Sequence, residues 1–127
     1  MGKRIAVCSA DDSLVHYTDY YAKMNGYPLE VKQGPYSSDS TSFAEVGIPG
    51  LTFARITQQG TGSIHSYKDV IEHMSERVLN EDCVFISEYV KNMANAFVIP
   101  VPTKIPEKVK EDIDKMFARD LIKKDEK

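Results

Sequence analysis

Lys3-Arg4-Ile5-Ala6-Val7-Cys8-Ser9 leads into Asp11-Asp12-Ser13, then into Leu14, Tyr17, Tyr21 and Met24 at 3-4-3 spacing. Asn25-Gly26 and Leu29-Glu30-Val31 follow. A short apolar run ending in small and acidic residues reads as a buried strand. Asp11, Asp12 and Ser13 are the residue types whose side chains accept from the orphan amides of a helix start. The 3-4-3 recurrence puts four apolar side chains on one helical stripe. Asn25-Gly26 supplies the left-handed residue that ends such a helix, and Leu29-Glu30-Val31 reads as a second strand. Strand, helix, strand is the signature of an α/β layered fold.

Outward from this unit, Gly34-Pro35-Tyr36-Ser37-Ser38-Asp39-Ser40-Thr41-Ser42 shows no period and reads as a loop. Its Ser-Ser-Asp-Ser run has the composition of an N-cap for the short helical stretch Phe43-Ala44-Glu45-Val46, closed by Gly47. Ile48 to Arg55 reads as a third strand with Pro49 at its start, where proline is tolerated. A glycine-bearing loop, Gln58 to Ser63, precedes Ile64-His65-Ser66-Tyr67-Lys68-Asp69. Leu79, Cys83, Ile86, Val90, Met93 and Phe97 then keep a 4-3-4-3-4 spacing, which predicts a long helix with that stripe inward. Pro100-Val101-Pro102 breaks it. A last helix is predicted from Pro106, in the favoured first-turn position, with Val109, Ile113 and Met116 inward. The tail from Lys123 is charged and expected to fray. We read residues 1–127 as a single domain, of which 100–127 are the last helix and its tail.

Composition narrows the function. The chain has 127 residues and 14.3 kDa, with 42% hydrophobic and 28% charged residues, a net charge of −3 and a pI near 5.6. These are globular proportions, and the acidic balance argues against a nucleic-acid surface. No apolar run approaches the ~20 residues of a membrane span, and Ile5-Ala6-Val7 is too short for the apolar part of a signal peptide. A cytoplasmic location is the default expectation. Cys8 and Cys83 form neither a disulfide framework nor a Cys-x-x-Cys zinc pair, and Cys8 in a buried strand reads as a small hydrophobe. His16 and His73 fall on polar faces of helical stretches. Tyr17, Tyr20, Tyr21 and Tyr27 read as core and rim residues. Spacing and composition alone reach a soluble α/β domain.

The order of the pieces carries more. Ser38-Asp39-Ser40-x-x-Phe43-x-x-x-Gly47-Ile48-Pro49, a strand, Ile64-His65-Ser66-x-x-Asp69 and a long closing helix resemble the C-terminal part of the co-catalytic zinc aminopeptidases. That peptidase clan includes bacterial leucyl aminopeptidase, glutamate carboxypeptidase and, more distantly, glutaminyl cyclase. The resemblance runs from about Ile5 to Phe97 and implies a three-layer α/β sandwich of the phosphorylase/hydrolase-like kind. It also implies that His65 is the terminal imidazole ligand of one zinc. Asp69, ending the same turn, then fixes the loop that carries the imidazole, as outer partners of ligating histidines do. Tyr36 lies one residue out of register with a tyrosine whose hydroxyl stabilises the tetrahedral intermediate in some members. Ser38 and Asp39 match the loop near the site.

The family reaction implied is hydrolysis of a peptide amide by water activated on two zinc ions, with a glutamate taking the water proton. It needs a His-x-Asp, a bridging Asp, a Glu-Glu pair and one more acidic ligand ahead of the histidine. Here His16-Tyr17-Thr18-Asp19 has the wrong spacing, and no Glu-Glu occurs. One of five metal-binding side chains is matched. The expectation is therefore a fragment or truncated form of such a hydrolase, acting in the parent on peptide substrates. Alone it should be inactive and hold no zinc stably. The alternative is a non-enzymatic α/β domain used for binding or assembly. With about three strands and four helical stretches, a strand edge or apolar helix face should lack cover. This predicts a homo-oligomer, most simply a two-fold dimer, unless an N-terminal half is supplied or the helix Pro106 to Arg119 folds back over the gap.

Overall fold

The computed structural model describes residues 2–56, 64–99 and 101–118. The loop predicted at Gln58 to Ser63 and the charged tail lie outside the described residues. The chain divides into two compact units: Arg4–Arg55 with Pro100–Lys127, and Ile56–Ile99 with Met1–Lys3. We call them the α/β unit and the helical unit.

In the α/β unit, β1 (Lys3–Ser9) buries its last five residues in an unbroken run. That is the pattern of a strand covered on both faces. It is the middle strand of a three-stranded sheet in the order β2-β1-β3. β2 (Glu30–Gln33) pairs with it in parallel, with Ile5 opposite Glu30 and Cys8 opposite Gln33. β3 (Gly50–Ile56) flanks the other side. The strand predicted from Ile48 thus begins at Gly50, beyond Pro49, whose missing amide hydrogen could not join a ladder. The architecture is α/β.

Helix α1 (Asp12–Met24) is capped by Asp11, whose carboxylate accepts from the Ser13 amide at 3.0 Å. Its C-terminus closes through Tyr27 N–H to Ala22 C=O and Gly26 N–H to Lys23 C=O, with Gly26 at φ +61°. This pair of bonds is a Schellman arrangement, with Gly26 as the left-handed residue expected from Asn25-Gly26. The buried line differs from the predicted stripe. Leu14, Thr18 and Ala22 are buried, Tyr17 and Tyr21 are half-buried, and Met24 is exposed. Thr18 hydrogen-bonds the Cys8 thiol. So close an approach between helix and strand favours small side chains at i, i+4, and the tyrosines stack beside them with ring centroids 6.1 Å apart.

Helix α2 (Asp39–Glu45) ends in a second Schellman pair, Gly47 N–H to Ala44 C=O and Ile48 N–H to Phe43 C=O. The last helix of the chain, Glu107–Met116, starts from Pro106 as N-cap rather than as its first helical residue. It packs on α2, and Ala44, Ile105, Val109 and Ile113 form one buried cluster. Val109 and Ile113 face inward as predicted, whereas Met116 is exposed.

In the helical unit, one turn of 3₁₀ helix (Ile71–His73) precedes α3 (Glu76–Ala94). Numbering in chain order makes Glu107–Met116 α4. Ser75 caps α3, its hydroxyl accepting from Val78 N–H. The helix was predicted, but its inward face is corrected. Val78, Phe85 and Tyr89 are buried, whereas Leu79, Cys83 and Val90 are exposed. The buried line lies about 100° round the helix from the aliphatic stripe. Two aromatic side chains, Phe85 and Tyr89, pair at i, i+4 and take the inward position by their size. Phe97 falls beyond the helix end at Asn95 and is fully exposed. Among the described residues, no helix is long and apolar enough to cross a membrane.

Candidate functional site

The residues singled out by sequence fall into two groups, one in each unit. The first is the loop between β2 and α2. Thr41, almost fully buried, organises it: its hydroxyl accepts from Tyr36 N–H at 3.1 Å and donates to Tyr36 C=O. Ser38 N–H also donates to Tyr36 C=O, at 2.7 Å. Tyr36 is thereby held at its backbone, half-buried.

Ser38 occupies the N-cap position of α2, but its hydroxyl makes no capping bond. It lies 2.6 Å from Thr52 Oγ1 and 2.9 Å from Ser40 Oγ, and Ser40 Oγ lies 2.5 Å from Thr52 Oγ1. Three hydroxyls therefore close a triangle between the loop and β3. Each hydroxyl both donates and accepts, so the triangle can satisfy itself and tie the loop to the strand. The N-cap role predicted for this serine run is corrected accordingly: Ser38 and Ser40 turn toward Thr52. Asp39, between them in sequence, is exposed. The approach is close because position 50 has no side chain. A Cβ there would stand 2.5 Å from the Ser40 carbonyl oxygen.

Beside this loop, Ser9 Oγ donates to Gly34 C=O at 2.9 Å and Gln33 Nε2 to Ala10 C=O at 2.9 Å, which joins the ends of β1 and β2. Burial pushes the Cys8 thiol up to about 12, the Thr18 hydrogen bond offsetting part of that rise. Cys8 is consequently a packed thiol and not a nucleophile at neutral pH.

The second group is the turn Ile64–Asp69. His65 is exposed and sits at φ +61°, the left-handed region that few residues other than glycine occupy. Ser66 closes the turn: its hydroxyl accepts from Lys68 N–H at 3.2 Å and its carbonyl from Asp69 N–H at 3.0 Å. The Asp69 side chain is exposed. A non-glycine residue held at positive φ stores backbone strain, which concentrates at functional positions.

The structure thus gathers Tyr36 and Ser38 with Ser40, Thr41 and Thr52, and places His65 and Asp69 on one turn. Thr41 and Thr52 carried no signal in the linear pattern beyond their hydroxyls, since the partners of Thr52 lie 12 and 14 residues away. Among the described residues, no group of three or more His, Cys, Asp or Glu side chains could hold a metal ion. The donors present do not fit a two-zinc centre, which needs several convergent ligands.

Comparison with curated proteins and with solved structures finds no match. The family model of peptidase family M28, a zinc-dependent family, matches residues 7–90, from β1 through most of α3 and across both groups just described. The chain belongs to peptidase family M28.

Proposed function

We propose that this chain is a fragment of an aminopeptidase-like zinc hydrolase. In this reading it supplies a single metal-ligating imidazole, His65, to a site whose other ligands come from residues outside the chain. The family match through the Ser38–Asp69 block carries the reading. The exposure of His65 on its turn is consistent with a ligand that meets residues outside the chain. The Ser38–Ser40–Thr52 triangle sets the position of the loop that bears Tyr36. The family pattern gives Tyr36 the role of donor to the developing oxyanion, Asp39 a place on the loop that bears it, and Asp69 that of steadying the histidine turn. The substrate is a peptide.

Since no group of three or more His, Cys, Asp or Glu side chains among the described residues could hold a metal ion, the chain alone is inactive in this reading. The purified chain is expected to leave aminoacyl-nitroanilides intact with or without zinc, and calorimetric titration should detect no stoichiometric zinc binding. Zinc-dependent turnover that His65→Ala abolishes would overturn the inactivity.

A further inference from the structure

Helix α2 has little of its own to hold it in place. Its seven residues make fewer than two turns, and isolated helices that short are marginal in water. Ser38, at its N-cap, makes no side-chain bond to the helix amides, because its hydroxyl is engaged with Thr52 and Ser40. The buried residues of α2 are Thr41 and Ala44, three apart and therefore on one face. Ala44 joins Ile105, Val109 and Ile113 in the buried cluster with α4. Thr41 grips Tyr36 at both its N–H and its C=O. The inward face of α2 thus meets α4 through one residue and the Tyr36 peptide through the other.

We propose that α4 is a C-terminal clasp on the candidate site: seated on α2 it orders the Tyr36 loop, and unseated it releases α2 and that loop while β1, α1 and β2 stay folded. As a control on the site the clasp rests on the reading of Tyr36 given above, whereas the mechanical coupling does not. Three of the four clustered residues belong to the segment Ile105–Ile113, beyond residue 90, where the family match ends. The grip is apolar, since the α4 lysines Lys110 and Lys115 pair along their own helix with Glu107 and Asp112. The rest of the α/β unit has ties of its own. Helix α1 packs on β2, Thr18 bonds the Cys8 thiol, Gln33 donates to Ala10 C=O, and Gly34 N–H donates to Cys8 C=O. These ties involve neither α2 nor α4, so opening stops at the clasp, as it does in a local unfolding unit.

Residue-resolved amide hydrogen exchange on the full chain tests the clasp. Ile113→Ala should speed exchange of the Tyr36 and Ser38 amides, both bonded within the loop, at least about tenfold. The Gly34 and Tyr27 amides, bonded to Cys8 and Ala22, should keep the parent's rates. Ile113→Val, a milder loss of grip, should give the same ranking with smaller factors and serves where the alanine variant does not fold. Thr41→Val should free the Tyr36 amide while the α4 amides keep their protection, and Thr41→Ser should restore the parent's Tyr36 rate. Equal acceleration of the loop, Gly34 and Tyr27 amides in the Ile113 variants would overturn the proposal, because α4 would then belong to one cooperative core. An unchanged Tyr36 rate in those variants would overturn it too, as would a Tyr36 amide that Thr41→Val leaves protected. None of these outcomes bears on the peptidase reading, which the nitroanilide assay and the zinc titration judge separately.

Discussion

In the α/β unit, β1 buries Ile5 to Ser9 without interruption, and α2 and α4 close over Ala44, Ile105, Val109 and Ile113. In the helical unit, Ile64, Tyr67, Ile71, Met74, Leu79 and Val90 are all exposed. Both stretches carry apolar residues at regular spacing, yet in the helical unit the aliphatic stripe of α3 stays outside while Val78, Phe85 and Tyr89 turn inward. The difference teaches that periodicity establishes a helix, whereas burial depends on what that helix finds to pack against.

The widest gap between the units should appear in their cysteines. With its thiol pushed up to about 12 by burial, Cys8 in the folded protein should react with Ellman's reagent roughly a thousandfold more slowly than Cys83. Cys83 is exposed and should react at once in dilute solution. Equal rates would erase the contrast. Truncation is the next probe. Ile113→Ala should lower stability by about 2–5 kcal/mol through the cavity it leaves, whereas Leu79→Ala should stay within about 0.5 kcal/mol of the parent. Urea midpoints for the two variants decide this, and similar losses would mean that α3's outer face is packed in solution.

A smaller effect tests the α/β unit at its helix start. Hydrogen bonds from Ser13 hold the Asp11 carboxyl below its ordinary value, with Lys104 adding a weaker pull. A carboxyl lowered on folding stabilises the fold above its unfolded value, near about 3.9, and that contribution fades as pH falls through the folded one. The melting temperature of Asp11→Ala should therefore lie below the parent's at neutral pH and converge on it in strong acid. A pH-independent difference would assign the loss to packing instead of charge.

These contrasts also mark how far the linear pattern could be read. β1 was legible because a buried run bounded by acidic residues needs only local information. The ends of α1 and α2 were legible because Gly26 and Gly47 must take the positive φ of a Schellman turn. The inward faces were harder. On α1 the close approach of Thr18 to Cys8 shifted burial from tyrosines to small residues. On α3 two aromatics displaced an aliphatic stripe. At the candidate site, His65 and Ser38 stood out through a spaced block of residues. Thr41 and Thr52 did not, because their value lies in hydroxyl contacts that no periodicity encodes.

The bare Cα of Gly50 has a consequence for how this sequence can change over time. Since the Ser40 carbonyl occupies the volume a methyl group would need, the first turn of α2 and the start of β3 share one space. The exposed residues of the serine-rich loop, Ser37, Asp39 and Ser42, could be exchanged with the loop still seated there. Any substitution at position 50 would instead displace that carbonyl and spread the three hydroxyls behind it. The seat of the loop is thus inherited through an atom that is missing from the strand, and drift should be tolerated at the loop's exposed positions long before it is tolerated at Gly50.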